Sequence, residues 1–174
     1  MRDQDIQLDI LNECMGALGQ FPMSDPETPQ TNIERWAVNR MTNVIREVLE
    51  LRPWTATLTE ARISRLTERS PARNHYQYQL PQDVVRLNDI YSLTSQDYTV
   101  MDDRIVTRFR LEGMIILYNS DQMRPSWGSN LRALIGQKLA LKITKPNEES
   151  AAERRALMDL IRLTMRKALS LIHI

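Results

Sequence analysis

The spacing of apolar positions changes period twice along the chain. Over residues 3–18, Ile6, Ile10, Cys14, Ala17 and Leu18 recur at intervals of three and four, which predicts a helix with one apolar stripe. Asp3 and Asp5 stand where the helix dipole favours negative charge, and Gly19 suits the left-handed backbone that closes helices. The stretch "QFPMSDPETPQ" holds three prolines, which lack a backbone donor, and predicts a loop. A second helix is predicted over 31–51. Thr31 and Glu34 have capping-box spacing, Ile33, Trp36, Ala37, Met41, Val44, Val48 and Leu51 mark its buried face, and Pro53 stops it.

From residue 54 to 118 the helical period gives way to alternation. "WTATLTEARI" alternates Trp54, Ala56 and Leu58 among threonines and predicts a strand. In "YQYQLPQDVVRLNDIYSL", Tyr76, Tyr78 and Leu80 alternate with Gln77 and Gln79. Pro81, unable to donate to a ladder, marks the corner before the next apolar run. "YTVMDDRIVTRF" predicts a hairpin turning at Asp102 and Asp103, and "EGMIILYN" a short buried strand. Together they predict a small antiparallel sheet.

Helical spacing returns after Pro125. Leu131, Leu134, Ile135, Leu139 and Ile143 predict a third helix, and "TKPNEES" breaks it. Asn147 is placed to cap a fourth, with Leu157, Leu160, Ile161, Thr164, Ala168, Leu171 and Ile172 on one face. The expected fold is α+β. A discontinuous helical bundle is built from both chain ends, 1–53 and 125–174, with a β lobe inserted over 54–124.

Composition narrows the function classes. A 42% hydrophobic content allows a core, while a net charge of +1 implies no long-range field of the kind nucleic-acid binders show. A single cysteine, Cys14, excludes a disulfide framework within the chain, and no apolar run reaches membrane-span length. His75 and His173 have no nearby Ser, Cys or acid pattern. HExxH, CxxC, GxGxxG and GxxxxGKS motifs do not occur, and Asp97, Asp102 and Asp103 fit a solvated hairpin rather than an EF-hand. We therefore expect no enzyme, no cofactor and no metal.

Two features exceed what a plain monomer requires. The last helix carries Leu163, Met165 and Leu169 outside its main stripe, interleaved with Arg162 and Arg166, and the chain ends on Leu171, Ile172 and Ile174. Such residues predict burial in the bundle or a subunit or partner contact. The β region holds Arg62, Arg65, Arg69, Arg73, Arg86, Arg104, Arg108 and Arg110, a residue type enriched at interfaces and equally ordinary on a solvated face.

Three stretches, "LNECMGALGQFPMS", "RPWTATLT" directly after the second helix, and "YQYQLPQDVVRLNDIY", resemble the tail tubular protein A family, the head-to-tail adaptors of short-tailed phages. Similar proteins carry a leucine-rich first helix ending in Gly-x-x-Pro, an Arg-Gly-Trp exit from the second helix and a Tyr-x-Leu-Pro-x-Asp corner. Here Pro53 replaces the glycine. The resemblance covers most of residues 6–93. It implies a structural virion subunit, assembled in the host cytoplasm into a homo-dodecameric ring between portal protein and tail nozzle protein, with fibre contacts in some members and DNA only passing through. It implies a helical part meeting the portal, with Arg162, Leu163, Met165, Arg166, Leu169, Leu171, Ile172 and Ile174 as candidates. Arg62, Arg65, Arg104 and Arg108 are candidates for nozzle or neighbour contacts in the β part. Two other readings stay open from the residues: a neck or head-completion protein of a long-tailed phage, with a more purely helical fold, and a small nucleic-acid-binding regulatory module using the arginines as a basic patch.

Overall fold

The structure is a computed structural model and describes residues 3–67, 75–144 and 151–170. It divides into two compact units, Met1–Leu51 with Met123–Ile174, and Arg52–Gln122. Helices occupy both ends and antiparallel β structure lies between them, the α+β class that the two period changes predict.

The first unit holds helices α1 (Asp3–Ala17), α2 (Asn32–Glu50), α3 (Ser129–Ile143) and α4 (Ala151–Ser170). Gly19 takes a φ of 65° just past α1, where the Gln20 N–H donates to the Met15 carbonyl at 2.9 Å. The capping box of α2 is formed. The Glu34 N–H donates to Thr31 Oγ1 at 3.2 Å, and the Thr31 N–H donates to Glu34 Oε2 at 2.9 Å. Helix α3 touches each of the other three and is buried on most sides, through Leu131, Leu134, Ile135, Leu139, Ala140 and Ile143. Gly136 faces α1 so closely that a β-carbon there would sit 2.7 Å from the Ile10 carbonyl oxygen and 3.0 Å from the Cys14 nitrogen.

The buried stripes differ from the expected ones by a fraction of a turn. In α1, Leu11 and Met15 join Ile6, Ile10 and Cys14 in the core, while Ala17 is exposed. In α2 the core side is Ala37, Met41, Val44, Ile45, Val48 and Leu49, and both Trp36 and Leu51 are exposed. The core side spreads from Val44 and Ala37 through Met41 to Ile45 and Leu49, and at about 100° per residue Trp36 falls beyond its edge. In α4, Leu157, Ile161, Thr164 and Ala168 are buried and Leu160 is exposed. Asn147, the expected cap, and Leu171 and Ile172 lie outside the described residues.

The second unit opens with a 3-10 turn, Thr55–Thr57, so the first strand starts at Leu58 and not at Trp54. The turn is fixed from inside: the Asn119 amide nitrogen donates to the Trp54 carbonyl at 2.8 Å and to Thr57 Oγ1 at 2.6 Å, and Asn119 Oδ1 accepts from Asn88 Nδ2 at 2.8 Å. The strands are β1 (Leu58–Ile63), β2 (Tyr76–Gln79), β3 (Val84–Ile90), β4 (Tyr98–Met101), β5 (Arg104–Thr107) and β6 (Met114–Ser120). They form two three-stranded antiparallel sheets, β1-β6-β3 and β2-β5-β4, where the alternation suggested one. The β4–β5 hairpin turns at Asp102, whose φ of 53° an aspartate tolerates. The strand β2 ends before Pro81, and the Leu80 N–H donates instead to the Asp103 carbonyl at 2.9 Å. Ile63, Ile90, Met114, Ile116 and Tyr118 from one sheet meet Tyr78 and Ile105 from the other, with Leu80, in one core. Alternation along each strand sends these residues to the same side.

Candidate docking surfaces

Helix α4 turns Leu157, Ile161, Thr164 and Ala168 into its bundle and leaves a second set of apolar residues in water. Leu163 is 50% exposed and Leu160 is exposed one turn before it on the same flank, while Met158 is exposed and Met165 half-buried on the opposite flank. Arg162 and Arg166 are exposed between them, and Arg162 Nη1 meets Asp159 Oδ1 at 3.0 Å. The Leu169 side chain, Leu171, Ile172 and Ile174 lie outside what the structure describes. Of the expected portal-contact set, the structure therefore brings Arg162, Leu163, Met165 and Arg166 onto one stretch of one helix.

Beside this helix runs a groove of about 370 Å³ that sequence reading missed. Leu141 of α3 and Met158 and Ile161 of α4 line it, and Lys138, Lys142, Arg154 and Arg162 rim it with Glu47 of α2. Lys142 Nζ pairs with Glu47 Oε1 at 2.9 Å. Arg154 Nη1 donates to the Thr144 carbonyl at 2.6 Å and the Leu141 carbonyl at 3.3 Å, closing the C-terminal end of α3. Lys138 has no ion pair among the described residues. Finding this groove needs three helices side by side. Its one trace in the sequence is the four-residue spacing of Lys138 and Lys142.

The loop after α1 carries the other unexpected feature, Phe21, whose side chain is 92% exposed. Its neighbours are held. Gln20 is bonded to Met15, and the Met23 N–H donates to Asn12 Oδ1 at 2.7 Å while the Met23 side chain is buried.

In the second unit the arginines do not gather on one face. Arg62 lies on β1 between core-facing Ala61 and Ile63, so it points off the outer side of the first sheet. Arg104 lies on β5 next to core-facing Ile105, off the outer side of the second sheet, and donates to Gln77 Oε1 at 2.9 Å. Arg65 places its guanidinium 5.6 Å from the centre of the Tyr76 ring. Arg108 and Arg110 are exposed in the connection after β5, and Arg69 and Arg73 lie outside the described residues.

The titratable groups show little that is poised for chemistry. Burial pushes the Cys14 thiol up to about 12, so it stays protonated and unreactive at neutral pH. His75 is half-buried just before β2. No group of three or more His, Cys, Asp or Glu suited to a metal occurs among the described residues. A polar cleft of about 640 Å³ opens between α1 and α3. Asp9, paired with Arg132, and Asn12, Glu13 and Gln137 line it, with no histidine or cysteine. No helix among the described residues is long and apolar enough to cross a membrane. In comparisons with known proteins, no family model and no curated protein matches the chain.

Proposed function

We propose that this chain is a structural subunit of a larger assembly and not a catalyst. More particularly, it serves as a head-to-tail adaptor of a short-tailed phage, similar to the tail tubular protein A family. Copies form a ring between portal protein and tail nozzle, DNA passes through its channel, and the subunit belongs to the virion after assembly in the host cytoplasm. One observation carries the reading. Each unit closes a core of its own, yet α4 still holds Leu160 and Leu163 in water on one flank, with Arg162 and Arg166 exposed beyond them. A helix with a satisfied inner face and a second apolar set outside it is suited to a partner. The three family-like sequence stretches support the choice of partner, and the near-neutral charge suits a conduit that lets DNA slide.

The test is co-sedimentation of the full chain with purified portal rings of short-tailed phages, with the size of the chain alone measured in parallel. The reading expects the chain to sediment with the rings and to leave the free pool in a fixed ratio per ring. A chain that ignores every portal ring and binds duplex DNA in a salt-dependent way would replace it with the nucleic-acid reading.

A further inference from the structure

We infer that copies of this chain join head to tail, with Phe21 of one copy seated in the α3–α4 groove of the next. The knob is presented by its surroundings. Gly19 turns the backbone at a φ of 65°, Gln20 is bonded to Met15, and Met23 is buried and bonded to Asn12, so the chain is tied on both sides of Phe21 and Pro22. Proline restricts the backbone further. An aromatic ring held in water by anchored neighbours loses little freedom on docking, and such rings are typical interface anchors.

The groove is the complementary half. Its floor is apolar, from Leu141, Met158 and Ile161, and it is an open cleft of about 370 Å³, at the lower end of the size of small-ligand sites. Four cations rim it, and the carboxylates beside them, Glu47 and Asp159, balance two. The segment that bears the knob has the opposite sign. Residues 19–34 contain Asp25, Glu27 and Glu34 and no lysine or arginine. This match selects a second copy as the occupant. Knob and groove share no residue, so the contact is heterologous and repeats from copy to copy, closing into a ring when the rotation allows. Closure into a ring rests on the adaptor reading; the pairwise contact rests on the two surfaces alone.

The full chain tests it by disulfide trapping, since buried Cys14 does not compete. Gln20→Cys and Met158→Cys chains, the first keeping Phe21 and each checked for an unchanged melting temperature, are mixed at high concentration under mild oxidation. The mixture is expected to give roughly tenfold more covalent dimer than Gln20→Cys mixed with an Asn43→Cys chain, whose thiol would lie elsewhere on α2, and adding Phe21→Ala to the knob chain removes the excess. Adding Lys138→Glu to the groove chain lowers the yield, and adding Glu27→Lys to the knob chain restores it. A yield equal to the Asn43 control overturns the contact, and a yield indifferent to Lys138→Glu overturns the charge match that names the occupant. A chain that binds portal rings but gives no such dimer removes this inference and leaves the adaptor reading. A chain that gives the dimer and ignores portal rings does the reverse.

Discussion

Tyr78 and Leu111 exchange two hydrogen bonds: the Leu111 N–H donates to the Tyr78 hydroxyl oxygen at 2.7 Å, and that hydroxyl donates to the Leu111 carbonyl at 2.8 Å. Tyr78 is fully buried on β2, and Leu111 lies in the connection that carries the chain from β5 in one sheet to β6 in the other. One side chain therefore fixes the crossing between the two sheets. The alternation of Tyr76, Tyr78 and Leu80 serves this purpose, because every second residue faces the shared core.

Tyr78→Phe keeps the ring and removes both bonds. The Leu111 N–H and carbonyl then lose their partner in a part-buried site, which costs about 1 kcal/mol. Denaturant unfolding followed in the full chain should show this loss. A variant as stable as the parent would mean that the crossing is held by packing alone.

Gly136 sets how closely α1 and α3 approach. Gly136→Ala gains up to about 1 kcal/mol of helix propensity, but its methyl would meet the Ile10 carbonyl oxygen at 2.7 Å. Overpacking of this kind costs about 1–3 kcal/mol, so the net effect is destabilising, and Gly136→Val is worse. Thermal melts of the two variants check the order. An alanine variant that melts higher than the parent would show that the helices separate freely.

Asp97 gives a pH prediction. Thr94 Oγ1 donates to its carboxylate at 2.6 Å and the Thr94 N–H at 2.8 Å, and these bonds, the side-chain one first, hold its pKa below the usual aspartate value. A folded pKa below the unfolded one means stability that is present above the unfolded value. It is lost as pH falls through the folded value. Thr94→Val removes the larger cause. NMR titration of the Asp97 side chain should then show its midpoint rising toward the ordinary range, with the variant less stable than the parent at neutral pH and the difference shrinking as pH falls through the parent's folded value. An unchanged midpoint would refute the assignment.

How much of this was legible in the sequence depends on the range of the interaction. The capping box of Thr31 and Glu34, the Gly19 turn and the Asp102 hairpin are local, and all three formed as their spacing predicts. Helical and alternating periods located the α+β organisation for the same reason. Pairing was not legible. Alternation says which residues share a face but not which strand lies next to which, so two sheets were read as one. The burial of α3 on most sides likewise depends on three helices distant in sequence, and so does the groove that Lys138 and Met158 help form. Phe21 leaves no such signal, because exposure in a proline-rich segment follows no period.

The last prediction concerns the outer side of α4. Leu163 is 50% exposed, so Leu163→Asp removes little core and should change stability by less than about 0.5 kcal/mol. In an assembled ring the same carboxylate would be forced into an apolar contact next to exposed Arg162 and Arg166. Arg162 could pair with it only by leaving Asp159, and a pair with Arg166 would itself be buried in the contact at a desolvation cost. An unpaired buried carboxylate costs several kcal/mol, on the order of a thousandfold in affinity. The variant should therefore keep the melting temperature of the parent and fail to sediment with portal rings. Arg162→Ala, which removes a charge but adds none, should weaken binding far less. If Leu163→Asp binds as the parent does, the exposed leucine faces solvent in the assembly too, and the portal contact must be sought on another face of the helical unit.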